Sequence, residues 1–148
     1  MNNDPLFIML ADDDEADRLL FKEVFSELKI RTTVVTVNNG DELMKWLSEN
    51  PSPLPKLLFL DLNMPRKNGL ECLKEIRSSE TLKNISIAIY STSNSKKDME
   101  ETFNLGANIY ITKPADFKDL KQVLEKAVMT TFSYKDKSMK WENFILKL

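Results

Sequence analysis

Two adjacent aspartates, Asp12 and Asp13, follow the apolar run Leu6 to Ala11, and Asp61 follows a second apolar run in "LLFLDLNMPRKNG", residues 57–69. A hydroxyl, Ser91, ends "ISIAIYS"; an ammonium, Lys113, ends "NIYITK" and precedes Pro114. An unpaired charge at the end of a buried strand is costly, so Asp61 asks for a chemical reason. Carboxylates pressed together repel one another unless a cation or a shared proton intervenes. A hard divalent cation meets that need. Mg²⁺ takes oxygen ligands from one or two carboxylates and keeps waters for a phosphoryl ligand. A carboxylate nucleophile, a metal for two phosphoryl oxygens, a lysine for another and a hydroxyl for the last would together handle phosphate. Each part alone is weak, since lysines are common on surfaces and serines cap helices. The combination is the signal.

The competing reading of "ADDDEAD", residues 11–17, is helix capping. Asp14 suits an N-cap, and Glu15 and Asp17 suit the positive end of a helix dipole. That account serves Asp12 and Asp13 less well, because both precede the cap.

Composition narrows the chemistry further. The chain has no histidine, so it offers no imidazole base or imidazole metal ligand, and serine–histidine and cysteine–histidine catalysis are excluded. One cysteine, Cys72, cannot form an internal disulfide, and a histidine- or thiolate-bound zinc is implausible. A reducing cytoplasm is the simplest home. Net charge is −2, which gives no overall basic field for nucleic acid or an anionic membrane. Leu6 to Ala11 is the longest uninterrupted apolar run and is too short to span a bilayer; "MNNDP" lacks the pattern of a signal peptide.

The elements that must position these groups alternate. "PLFIMLA" reads as a buried strand, followed by a helix from about Asp14 to Leu28 with Ala16, Leu20, Val24 and Leu28 on one face. "RTTVVTV" is strand-like, and a short helix carries Leu43, Trp46 and Leu47. "KLLFLD" makes the third strand, and Leu70, Leu73 and Ile76 stripe the next helix. "ISIAIYS" is the fourth strand, "SKKDMEETFNLG" a helix closed by Gly106, and "NIYIT" the fifth strand. Phe117, Leu120, Leu124 and Val128 mark a further helix. Strands separated by helices require crossover connections, hence one α/β domain with a doubly wound parallel sheet. Sites in such sheets form at the carboxyl ends of the strands near the switch point, which brings the polar residues to one edge.

In order and spacing, the adjacent acids, the "D-x-x-M-P-x-x-x-G" of residues 61–69, the strand-ending Ser91 and the Lys113-Pro114 pair resemble the receiver domain of two-component response regulators. The match covers roughly residues 6–129, and the domain is taken as 1–129. "DLNMPRKNG" is also similar to the small single-domain regulators that partner bacterial phytochromes. The resemblance implies a flavodoxin-like (βα)5 fold with strand order 2-1-3-4-5. It implies a cytoplasmic phosphorelay protein rather than an enzyme, beyond Mg²⁺-dependent self-phosphorylation and autodephosphorylation.

Roles follow from the same resemblance. Asp61 would accept a phosphoryl group from the phosphohistidine of a sensor histidine kinase, in this case one of phytochrome type. Asp13 would ligate Mg²⁺ directly and Asp12 largely through water, with Asp61 and the Asn63 backbone carbonyl completing the protein ligands; Mn²⁺ could substitute. Lys113 would bind the phosphoryl group, Ser91 would move to hydrogen-bond it, and Tyr110 would turn inward behind Ser91 as the switch aromatic. Asn63 and Ser93 fall at positions that tune phosphoryl lifetime. Output would run through protein contacts of the fourth helix, fifth strand and fifth helix, without nucleic acid or membrane.

Residues 130–148 extend past the motif. Trp141, Phe144, Ile145 and Leu148 fall at i, i+3, i+4 and i+7, the stripe of a helix. It packs on its own domain or docks as an arm on a second copy or the kinase. Rival readings each lack a part. A haloacid-dehalogenase-type hydrolase needs an acid where Asn63 stands, and a flavin-binding module needs a phosphate cradle where the chain has "DDDE".

Overall fold

The computed structural model describes residues 4–133 and 141–147. Strands and helices alternate as β1 (Leu6–Ala11), α1 (Glu15–Glu27), β2 (Thr32–Val37), α2 (Gly40–Glu49), β3 (Leu57–Leu60), α3 (Gly69–Ser78), β4 (Ser86–Ser91), α4 (Lys96–Asn104), β5 (Ile109–Thr112), α5 (Phe117–Ser133) and α6 (Trp141–Phe144). All four strand pairings are parallel and the order is β2-β1-β3-β4-β5, as expected.

Alternation along the strands divides the core in two. Ile8, Leu10, Leu57, Phe59, Ala88 and Tyr90 face Phe21, Val24 and Phe25 of α1 and Leu120, Val123 and Leu124 of α5. Met9, Ala11, Leu58, Leu60, Ile87 and Ile89 face Leu43 and Leu47 of α2, Leu73 and Ile76 of α3, and Met99 and Phe103 of α4. β3 is buried along its whole length, the mark of a central parallel strand. It therefore reads as an unbroken apolar run until Asp61.

The apolar stripe of α1 differs from the expected one. Ala16 and Leu20 are exposed, and the buried face is Phe21, Val24 and Phe25, continued by Leu28. Steps of four residues drift about 40° round a helix of 3.6 residues per turn. Ala16, Leu20, Val24 and Leu28 thus cannot share one narrow face, whereas the i, i+3, i+4, i+7 set can.

The carboxyl-terminal stripe is also not a continuous helix. α6 stops at Phe144, and Ile145 pairs in parallel with Tyr110 of β5, while the Leu146 N–H donates to the Tyr110 carbonyl at 3.0 Å. β5 is an edge strand with backbone groups free to pair, and the segment after Phe144 takes them. Phe144 is buried against Phe103 and Tyr110, so this segment packs on its own domain. Leu148, the last residue of the expected stripe, lies outside the described residues.

The turn after β3 is closely built. Arg66 has φ 68°, and Asn68 caps α3 through a reciprocal capping box with Glu71. Gly69 touches the backbone of the aspartate strand: a Cβ there would stand 2.2 Å from the Asp61 carbonyl oxygen and 2.8 Å from the Leu62 Cα. Gly69→Ala should cost about 1–3 kcal/mol as overpacking, read as a thermal midpoint lowered by roughly 3–9 °C.

Candidate functional site

Backbone pairing carries the site residues past the strand ends. The Asp12 N–H donates to the Val37 carbonyl (3.1 Å), the Asp61 N–H to the Ala11 carbonyl (3.0 Å) and the Lys113 N–H to the Ser91 carbonyl (2.8 Å). Asp12, Asp13 and Asp61 therefore stand at the carboxyl ends of the adjacent strands β1 and β3, where the connections diverge, the expected place for a ligand crevice. Carboxylate oxygens of the three lie within 4.8 Å of one another. Asp12 and Asp61 are buried and Asp13 is exposed, so the cluster opens to solvent on the Asp13 side.

Lys113 reaches into this cluster. Its Nζ donates to Asp12 Oδ2 at 2.7 Å and to Asp17 Oδ2 at 3.0 Å, and lies 3.6 Å from Asp61 Oδ2. The ammonium also sits 5.1 Å from the centroid of the Tyr90 ring. Burial works against a charged amine here, but hydrogen bonding to Asp12 and the charges of Asp61 and Asp12 outweigh it and hold Lys113 above its usual range. Asp61 also lies above the ordinary range of its type. Burial pushes it up to about 6; Lys113 opposes that shift and neighbouring Asp12 adds to it. Burial also raises Asp12, against the hydrogen bonds from Lys113 and the Asp14 backbone.

The donor set fits a hard divalent cation. It consists of oxygens on Asp12, Asp13 and Asp61, within one small volume and with strained ionisation that a cation would relieve. The Asn63 N–H donates to Asp61 Oδ1 at 3.3 Å, which brings its backbone beside the cluster.

The other expected residues form a second group one strand away. Ser91 is fully buried at the end of β4, and its hydroxyl accepts from the Ser93 N–H at 3.1 Å. Tyr110 is buried, and its hydroxyl donates to the Ser93 carbonyl at 2.8 Å, so the ring lies inward behind Ser91. The Ser93 hydroxyl donates to Asp98 Oδ2 of α4 at 2.5 Å.

Two acids were not picked out by residue type. Asp17 is more than part of the dipole complement of α1, since its carboxylate pairs with Lys113. The available signal was its position one turn beyond Asp13, which turns it back over the strand ends. Asp98 falls three residues after the α4 N-cap Ser95, a place that capping alone would explain.

Comparison with known proteins agrees with this geometry. Residues 8–125 match the response regulator receiver domain. Response regulator Rcp1 of Synechocystis sp. is 34% identical over 128 residues, covering 84% of this chain and 87% of the relative. The crystal structure of the phosphorylated cyanobacterial phytochrome response regulator RcpA has a TM-score of 0.81 at 35% identity, covering 88% of this chain and 96% of its own. The Mn²⁺-bound form of Rcp1 has a TM-score of 0.77 at 31% identity, covering 92% and 99%. The chain thus belongs to the response regulator receiver domains, the modules of two-component signalling that are phosphorylated on an aspartate.

Proposed function

We propose that Asp61 is the phosphoacceptor and that the donor is a phosphohistidine of a sensor histidine kinase, with a phytochrome-type kinase favoured by the kind of relative that matches. The observation that carries this reading is the meeting of Lys113 with the buried carboxylates of Asp12 and Asp61 at the switch point of the sheet. An Asp61 carboxylate oxygen attacks phosphorus in line; the new O–P bond forms as the N–P bond of the donor breaks. The electron pair leaves with the imidazole nitrogen, which then takes a proton from solvent. No proton has to leave Asp61, which reacts as the anion.

Asp13 would hold Mg²⁺ directly, Asp12 largely through water, and Asp61 with the Asn63 carbonyl would complete the protein ligands; Mn²⁺ would serve as well. When bound, the cation neutralises charge on the phosphoryl oxygens and on the carboxylates. Lys113 would shift its ammonium from Asp12 and Asp17 toward the phosphoryl group, and Ser91 would turn its hydroxyl to it. Asn63 and Ser93 would set the lifetime of the acyl phosphate. The chain would act as a phosphoacceptor and signalling protein in the cytoplasm, with no separate substrate to turn over.

Output would pass through the surface of α4, β5 and α5. Residues 1–129 would form the receiver domain and 130–148 an extension of it. The segment from Trp141 to Leu146 already covers part of β5, so self-association through that surface would require it to give way. Light scattering with and without beryllofluoride, on full-length protein and on a chain lacking residues 138–148, tests this. Monomer mass in all four samples would remove self-association.

The acceptor reading is tested with acetyl phosphate and intact-mass measurement. Wild type should gain one phosphoryl group when Mg²⁺ is present and none when a chelator replaces it. Equal gain with the chelator would contradict the reading.

A further inference from the structure

Asp17 is the one acid at the strand ends to which the metal and acceptor roles give no task. Its place is set by the first turn of α1. Asp14 caps that helix and accepts the Asp17 N–H at 3.0 Å. Asp12 holds the same turn from the strand side: its Oδ1 accepts the Asp14 N–H at 3.0 Å, and its carbonyl accepts from Arg18 Nη1 at 2.8 Å. So placed, Asp17 Oδ2 accepts from Lys113 Nζ at 3.0 Å, and the same ammonium lies 3.6 Å from Asp61 Oδ2. One ammonium spans both acids, so these two oxygens stand less than about 7 Å apart. That is inside the roughly 10 Å over which a charge acts before salt at about 0.1 M screens it.

Asp17 also differs from the acids it faces. Its side chain is 32% exposed, against 0% for Asp12, which puts it at the rim of the site. Oxygens of Asp12, Asp13 and Asp61 meet within 4.8 Å and make a donor set without it. Its charge still reaches that set, since it works against the ionisation of Asp12. We propose that Asp17 is a specificity-determining residue, a fixed negative charge at the rim that strengthens cation binding and slows uptake from anionic phosphodonors. The effect acts through space, from where Asp17 stands. This inference rests on the roles proposed above for Asp61 and Mg²⁺.

A charge acts on a cation and an anion with opposite sign, whereas loss of a merely structural contact harms both. In salt of about 20 mM, Asp17→Asn should bind Mg²⁺ about 5-fold more weakly than wild type. With Mg²⁺ saturating, the same variant should take up a phosphoryl group from acetyl phosphate, a dianion near neutral pH, about 3-fold faster. In salt of about 500 mM both ratios should fall below about 2-fold. Asp17→Glu keeps the charge and should stay within about 2-fold of wild type in both measurements. Glu15→Gln removes an exposed acid from the same turn, about 200° round the helix from Asp17, and should do the same.

Isothermal titration with Mg²⁺ and intact-mass time courses with acetyl phosphate, on the full chain and its variants, read all of these values. Changes of opposite sign in Asp17→Asn that shrink with salt and are missing from Asp17→Glu and Glu15→Gln support the proposal. No change in either quantity, a fall in both, or ratios indifferent to salt would overturn it, as would equal changes in Glu15→Gln. An Asp17→Asn chain that fails to fold leaves the decision to Asp17→Ser, judged by the same criteria. Wild type that neither binds Mg²⁺ nor takes up a phosphoryl group would instead count against the acceptor reading itself, so the two failures are distinguishable.

Discussion

Asp61→Asn is expected to be more stable than wild type in chelator-treated buffer near neutral pH, by about 2–3 kcal/mol, while losing all phosphoryl uptake. Burial lifts the carboxyl from its ordinary 3.8 to about 6. A carboxyl raised in the folded state binds protons there more readily than in the unfolded chain. Its contribution to stability is thus fully present below 3.8 and is lost as pH rises through about 6. Above that range wild type carries a buried charge that Asn lacks. Thermal midpoints should then differ by roughly 8 °C at neutral pH and converge as pH falls below about 4. Adding Mg²⁺ should raise the wild-type midpoint and leave the variant nearly unmoved, because a ligand of the folded state stabilises by mass action. A variant no more stable than wild type at any pH would show that burial does not dominate at Asp61.

Lys113→Met is expected to act in the opposite sense and more strongly. The ammonium is the countercharge to Asp12, Asp17 and Asp61, and its side chain is 8% exposed beside an Asp12 side chain that is 0% exposed. Methionine keeps the aliphatic stem and removes the charge, leaving like charges buried together. Removing one partner from a buried pair costs about 3–5 kcal/mol, so the midpoint should fall by roughly 10–15 °C. Two conditions should restore much of it. Acidification neutralises the carboxylates, and Mg²⁺ replaces the missing positive charge. Loss of stability with no recovery under either condition would point to packing rather than charge. Phosphoryl uptake should fall as well, since the group that would meet the incoming oxygens is gone.

These two outcomes depend on features of unequal legibility. Asp61 was legible because a central parallel strand is apolar along its length, so a carboxylate at its end stands out against Leu57 to Leu60. Asp12, Asp13 and Lys113 were legible by the same logic, and the strand order placed them at one edge. What could not be read was which way a helical side chain turns. Ala16 and Leu20 look like core residues by type, yet Phe21 and Phe25 offer the sheet more apolar surface and take the buried face. Asp17 looks like a capping acid, and its contact with Lys113 arises from a residue 96 positions away. The carboxyl-terminal stripe failed for a related reason. Periodicity reports local preference, whereas the open edge of β5 is a tertiary fact that draws Ile145 out of the helix.

Chemical mapping of the acceptor tests the central claim most directly. Wild-type chain phosphorylated from acetyl phosphate in Mg²⁺ is reduced with borohydride, which converts an acyl-phosphate aspartate to homoserine, and the peptides are then sequenced by mass. Homoserine is expected at position 61 alone, and none in Asp61→Asn. Homoserine at position 12, 13 or 17, or undiminished labelling of Asp61→Asn, would contradict it.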